Sequence, residues 1–343
     1  QQDRGVPLKC RVLQSADSAK QGRKVHRIMP DISLIHGPQP DTAAVRQALV
    51  ATLTASTPSI PPRFFYDALG SALFRAICAL PEYYLSRTEA GIFKQYREQI
   101  ASAAGFGRQL VDLGCGDCEK ARDWMPWLRP SRYVAVDIDG VSLERSLRQL
   151  VRDFLQMNML GYVTDFSADL ALGPALAEQP SLFFYPGSSI GNFSPQQAVR
   201  FLAALRSHCR SDDCLLIGID SCADRTRLEA AYNDTLGITA AFNRNILNNL
   251  NRLLDADFDH RAFRHLAFYN QAAGRIEMHL EVLQAQQVDL GDRLLDLPAG
   301  LRIHTENSYK YTPAGFAALL EAAGFVEYRL WQDEQGDFSV FLA

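Results

Sequence analysis

The chain has 343 residues, 47% of them hydrophobic and 22% charged, with a formal net charge of −4. That content can fill one large core or two modest ones, and the acidic balance argues against a general nucleic-acid binder. No apolar run reaches the roughly 18–20 residues that span a membrane, no apolar leader is visible, and seven cysteines fit a reducing compartment, so a cytoplasmic protein is expected. Residues 1–36 are polar and mildly basic, without periodicity, and are expected to be a loose N-terminal extension. Thr42 to Ala55 has helical spacing and ends at the proline-rich stretch 57–62. The aromatic turn Arg63-Phe64-Phe65-Tyr66-Asp67 precedes a helix from Gly70 through Ile77. A second aromatic turn, Pro81-Glu82-Tyr83-Tyr84, precedes a helix to about Ala104, with Ser86 and Glu89 read as its capping box. These two turns read equally as core packing or as a substrate lid.

The organising stretch is Gln109 to Lys120, QLVDLGCGDCEK. Leu110-Val111-Asp112-Leu113 reads as a buried parallel strand, Gly114-Cys115-Gly116 as a tight turn, and EKARDWMPWL as a helix. Glycine lets backbone approach a ligand closely, and a helix N-terminus offers free N–H groups. Glu119 stands where the third glycine of G-x-G-x-x-G would be, and no P-loop is present. The carboxylates of Asp112 and Asp117 beside the turn suit a cationic, hydroxyl-bearing ligand better than a pyrophosphate. S-adenosylmethionine meets that description. Cys115 and Cys118 form a C-x-x-C, but no second pair and no nearby histidines accompany them, so no metal site is expected.

A second strand, Tyr133 to Asp137, ends in a carboxylate where a ribose-binding acid should sit. A third, Gly161 to Thr164, runs into Asp165-Phe166, a carboxylate and ring suited to an adenine amino group and face. A fourth, Ser181 to Tyr185, ends in Pro186-Gly187 and the loop through Asn192, with Ser194 as N-cap of a helix to His208. Leu215 to Asp220 is a fifth. An asparagine-rich helical stretch covers 228–254, and strands are expected at 263–270 and 275–285. Residues 302–311 are polar and aromatic. Thr312-Pro313 caps a helix, and strands 325–330 and 338–342 close the chain. This order predicts an α/β fold, the Rossmann-like sheet of class I S-adenosylmethionine-dependent methyltransferases, whose last strand runs antiparallel. The insertion would form a second, substrate-binding domain.

PPRFFYDALGSALF, LPEYYLSRTEA, LVDLGCGDCEKAR, FFYPGSSIGNF, AAYNDTLGITAAFNRNIL, RIEMHLEV and HTENSYKYT follow one another in this chain. In these motifs the chain resembles the histidine-specific Nα-methyltransferases of ergothioneine biosynthesis, from about Pro61 to the C-terminus. The resemblance implies trimethylation of the α-amino group of L-histidine to hercynine, with S-adenosylmethionine as co-substrate and no metal. It implies a cofactor set of Gly114, Lys120, Asp137, Asp165 and Phe166. Tyr83, Asn192 and Tyr232 would hold the substrate carboxylate and backbone, and Tyr66 and Gly187 would lie near the α-amine. Glu306 and Ser308 would bond the imidazole, with Met278 packed beside it. It implies a substrate-binding domain of 37–87 and 222–309, and a cofactor domain of 88–221 and 310–343. A small-molecule partner and a monomer are expected. The family usually has a Val-Lys pair where this chain has Cys222-Ala223. The alternative is a relative of the same family acting on another amino acid, such as a tryptophan derivative.

Overall fold

A computed structural model describes residues 26–29, 32–38, 41–167, 170–291 and 293–343. In chain order the elements are strands β1 (His26–Met29) and β2 (Ile32–His36), then helices α1 (Thr42–Leu53), α2 (Ala68–Cys78) and α3 (Tyr84–Ala104). Next come β3 (Gln109–Leu113), α4 (Glu119–Leu128), β4 (Arg132–Asp137), α5 (Gly140–Leu150), β5 (Asn158–Val163), β6 (Ser181–Tyr185), α6 (Pro195–His208) and β7 (Cys214–Asp220). An inserted region follows, with α7 (Arg225–Tyr232), α8 (Ile238–Leu254), β8 (Phe263–Asn270), β9 (Arg275–Val282), β10 (Gln286–Asp289), β11 (Leu294–Leu297) and β12 (Arg302–Tyr309). The chain closes with α9 (Pro313–Ala322), β13 (Arg329–Gln332) and β14 (Phe338–Leu342).

The main sheet has the order β1-β2-β5-β4-β3-β6-β7-β14-β13. From β2 through β7 every pair is parallel, and β14 runs antiparallel between β7 and β13. This is the class I methyltransferase sheet that the sequence led us to expect. Its central strands are continuous apolar runs because both faces are covered. In β6 every residue is buried; Phe184 faces one core and Phe183 and Tyr185 the other. Local signals agree with the boundaries. Ser194 and Gln197 form a reciprocal capping box at α6 with Pro195 at its first position, and Thr312 caps α9.

Several expectations change. Residues 1–25 lie outside the described residues. Part of the expected loose extension is sheet: β2 pairs parallel with β5 from Ile32↔Met159 to His36↔Val163. A five-residue strand gives too short a run for its alternation to stand out. Helix α3 starts at Tyr84, so Ser86 and Glu89 are not its cap; its N-cap residue, Tyr83, makes no side-chain bond. The strand expected at 325–330 is Arg329–Gln332, where pairing with β14 begins. The polar and aromatic residues 302–309 are strand β12.

The inserted region builds a second sheet, β12-β9-β8, antiparallel throughout. The segment before α2 joins it: Ile60 N–H donates to His304 C=O at 2.8 Å and His304 N–H to Pro58 C=O at 2.9 Å. The asparagines of α8 explain themselves here. Asn249 Nδ2 donates to Phe64 C=O at 2.8 Å, Asn245 Nδ2 to Asp67 at 2.9 Å, and Asn243 Nδ2 to His279 C=O at 3.0 Å. The helix thus ties the aromatic turn 63–67 to the inserted sheet with buried, satisfied amides. Among the described residues no helix is long and apolar enough to cross a membrane.

Candidate active site

The residues expected to hold the cofactor come together where β3, β4 and β5 finish. Gly114 and Gly116 both have left-handed φ, +70° and +55°. A Cβ on Gly114 would stand 3.5 Å from the ring of Phe166, so the turn and ring leave a narrow cradle. Gly116 N–H donates to Asp137 Oδ2 at 2.9 Å, and Asp139 N–H donates to Asp137 Oδ1 at 3.1 Å. Burial pushes the Asp137 carboxyl up, and these backbone donors pull it back. Asp165 Oδ2 accepts Arg63 Nη1 at 2.8 Å, which ties the first aromatic turn to the end of β5.

The other two acids near the turn are bonded within the chain. Asp112 is buried and accepts the Tyr133 hydroxyl at 2.8 Å; burial pushes it up to about 7. Asp117 accepts Glu119 N–H at 3.2 Å, at the start of α4. Side-chain alternation explains the first: it puts Asp112 on the face of the sheet where the Tyr133 hydroxyl meets its carboxylate. Cys115 and Cys118 are buried and free, and burial pushes the Cys115 thiol up, away from a reactive thiolate. Among the described residues no group of three or more His, Cys, Asp or Glu could hold a metal.

Beside this cradle lies a small cavity of about 50 Å³. Tyr66, Tyr83, Gly187, Asn192, Tyr232, Met278, Glu306 and Ser308 all line it, drawn from segments as far apart as 66 and 308. Phe74 and Phe242 complete its apolar wall. The rings interlock edge-on: Tyr66 with Phe242 at 6.0 Å and Tyr83 with Tyr232 at 6.3 Å.

Strand β12 supplies the polar end. Its register with β9 shifts between His304 and Glu306, so Thr305 is an extra residue. Such a bulge re-aims the side chains that follow. Thr305 holds it, donating to Asn243 Oδ1 at 2.8 Å. Glu306 and Ser308 then share the cavity face. Among the described residues no protein donor bonds the Glu306 carboxylate, and burial pushes it up to about 8 while Lys310 pulls it down. Ser308 Oγ accepts the Tyr232 hydroxyl and Lys310 Nζ, both at 2.8 Å.

Sequence reasoning missed the groups behind this wall. Lys310 and Asp220 form a buried ion pair at 2.6 Å, side chains 4% and 0% exposed. Tyr84 donates to Asp220 at 2.7 Å, and Asp220 N–H donates to Ser188 Oγ at 2.8 Å. Burial acts to lower the Lys310 pKa, but the Asp220 charge outweighs it and the ammonium is held protonated. A signal existed for both: Asp220 ends a strand as Asp137 does, and Lys310 continues the alternation of Glu306 and Ser308. Glu89, read above as a cap, instead joins the two ends of the site. Its carboxylate accepts Lys120 Nζ at 2.5 Å and Gly187 N–H at 2.6 Å.

Residues 45–343 match the family described as histidine-specific methyltransferase, SAM-dependent. A histidine N-alpha-methyltransferase of Mycobacterium tuberculosis is 40% identical over 306 residues, 88% of this chain and 94% of that protein. Ergothioneine biosynthesis protein 1 of Neurospora crassa is 28% identical, over 79% of this chain and 32% of that protein. A 4-dimethylallyltryptophan N-methyltransferase of Arthroderma benhamiae is 26% identical, over 87% of this chain and 92% of that protein.

Proposed function

The chain belongs to the SAM-dependent, histidine-specific methyltransferases, and we propose on that premise that it trimethylates the α-amino group of L-histidine to hercynine, for ergothioneine biosynthesis. The observation that carries the substrate choice is Glu306. It is a buried carboxylate at the cavity wall without a protein donor among the described residues. An imidazole N–H would satisfy it once the carboxyl gives up the proton that burial holds on it up to about pH 8. A purely apolar side chain would leave it desolvated and unpaired, which sites of this kind reject strongly. Ser308 beside it supplies the second polar contact that a two-nitrogen ring can use and an indole cannot.

S-adenosylmethionine supplies a methyl group on a sulfonium sulfur, a leaving group that departs neutral and needs no acid. The residues of the cradle suit it: Asp137 keeps lone pairs free for ribose hydroxyls, Phe166 offers a ring face and Gly114 a close backbone approach. Asp165 and Lys120 complete that set. Tyr83, Asn192 and Tyr232 hold the substrate carboxylate, leaving the amine near Tyr66 and Gly187, with Met278 packed under the ring.

The amine must be neutral to attack, and a model α-amino group has a pKa of about 8. Burial, followed by the charges of Glu306 and Asp137, raises the Tyr66 pKa, so Tyr66 stays a hydroxyl and is not a phenolate base. Its role is to accept an amine N–H and orient the lone pair, passing a proton only as it gives up its own. This reading has the protein acting as a cytoplasmic monomer on a free amino acid, without nucleic acid or membrane. Mass spectrometry of L-histidine incubated with the protein and S-adenosylmethionine tests it. Three successive methyl additions are expected; unmodified histidine beside a methylated tryptophan derivative would overturn it.

A further inference from the structure

Glu89 belongs to neither set of residues above, yet it touches both. Its side chain is 1% exposed, while that of its partner Lys120 is 43% exposed. Both oxygens are engaged, Oε1 by Gly187 N–H at 2.6 Å and Oε2 by Lys120 Nζ at 2.5 Å. The fold clears room for it: a Cβ on Gly218 of β7 would overlap Oε1. Lys120 Nζ in turn lies 3.0 Å from where a Cβ on Gly187 would stand, and Gly187 has a left-handed φ of +80°. Carboxylate, ammonium and glycine peptide form a closed clamp among α3, α4 and the loop after β6.

Burying a carboxylate is costly unless it is paired and fully bonded. Burial acts to lower the Lys120 pKa as well, and the Glu89 charge outweighs it, so both members of the pair are held charged where they meet. The buried charge therefore serves the place where it sits. That place is the seam between the Lys120 side, where the methyl donor is held, and the Gly187 side, where the amine is presented.

Building on the function proposed above, we propose that Glu89 is a positioning residue for methyl transfer, fixing the donor half of the site against the acceptor half. It does not touch either reactant; it acts through Lys120 and Gly187. A displacement of about 1 Å between reacting groups costs about a hundredfold in rate, far more than it costs in binding. As the amine gains methyl groups it must be re-presented to a fresh donor, so loosened register should also release partly methylated product.

Glu89→Gln has the same shape but can accept only on one side, and it turns an NH2 toward a donor. Its kcat should fall about thirty- to a hundredfold, with the histidine KM and the S-adenosylmethionine Kd within about threefold of the parent. Mono- and dimethylhistidine should appear among released products. A folded Glu89→Gln protein with parental kcat, or one whose loss lies in the binding constants alone, overturns the inference. If that variant does not fold, Glu89→Asp, which keeps the charge but shortens the reach, is read by the same criteria; failure of both to fold makes Glu89 a stability residue and overturns it too. A parent that leaves histidine unmethylated refutes the proposed function. An active parent with an indifferent Glu89→Gln refutes this inference alone.

Discussion

The two halves of the site hold their key carboxylates in opposite ways. Asp137, at the proposed cofactor end, accepts two backbone N–H groups, from Gly116 and Asp139. Glu306, at the proposed substrate end, has no protein donor among the described residues, and only Lys310, at a distance, opposes the upward push of burial on its carboxyl. The first acid is set in place by the chain itself, by the turns after two adjacent strands, β3 and β4. The second waits for a ligand, and what positions it is a bulge, a buried ion pair and a helix of asparagines drawn from remote segments. A common cofactor can be met by local backbone geometry; choosing one amino acid needs a polar group left unsatisfied in a dry wall.

The sharpest way to break this contrast is to remove the charge behind the substrate wall. Lys310→Met would leave Asp220 buried without its counter-ion, and such a loss costs about 3–5 kcal/mol. Thermal melting should drop by many degrees, and Asp220→Asn added to Lys310→Met should recover part of the loss. Equal melting of the single variant and the parent would mean the ion pair does not hold the wall. Next in size is Glu306→Ala. If the open carboxylate is what recognises the imidazole, kcat/KM for histidine should fall about a hundredfold, which is about 3 kcal/mol. Steady-state kinetics indistinguishable from the parent would remove Glu306 from recognition.

On the cofactor side the expected loss is smaller. Asp137→Ala frees two backbone donors that water can satisfy and removes one acceptor for the ribose. S-adenosylmethionine affinity by calorimetry should weaken about tenfold, the value of one charged hydrogen bond of about 1.5 kcal/mol. Histidine binding should hardly change, since Asp137 lies outside the cavity wall. A loss of histidine affinity as large as that of the methyl donor would erase the division between the halves.

The same contrast explains what could be read from sequence. The cofactor half follows one rule, an apolar strand ending in glycine or carboxylate, and the ends of β3, β4 and β5 obeyed it at Gly114, Asp137 and Asp165. Strands separated by helices, β3, β4 and β5, are parallel neighbours, as βα alternation requires. Asp112 fits that rule in words but not in space, because one step along a strand turns a side chain to the other face. The substrate half obeys no local rule. Its residues were legible through family motifs, which carried Tyr232, Glu306 and Ser308 into one cavity. The support behind them was not: Glu89 looks like a helix cap, and Lys310 like one polar residue among several. A partner 90 residues away, as Asp220 is from Lys310, or 98 away, as Gly187 is from Glu89, leaves no trace in a local pattern.

A pH series tests whether Glu306 is held at a cost. Its pKa in the folded protein is about 8, raised by burial, against about 4.3 for a free glutamate. A carboxyl raised on folding favours the folded state while it is protonated. Below about pH 4 both states carry the proton and there is no penalty; between about 4 and 8 the unfolded state loses its proton first, and stability declines by up to 1.4 kcal/mol per pH unit. Glu306→Gln, isosteric and neutral, should therefore match the parent in melting at pH 4 and exceed it by a few degrees at pH 8. Saturating histidine should close the gap by stabilising the parent more than the variant, because the ligand binds only the folded state. A Glu306→Gln protein less stable than the parent at pH 8 would mean the carboxylate has a partner in the chain after all, and the two halves of the site would then be built alike.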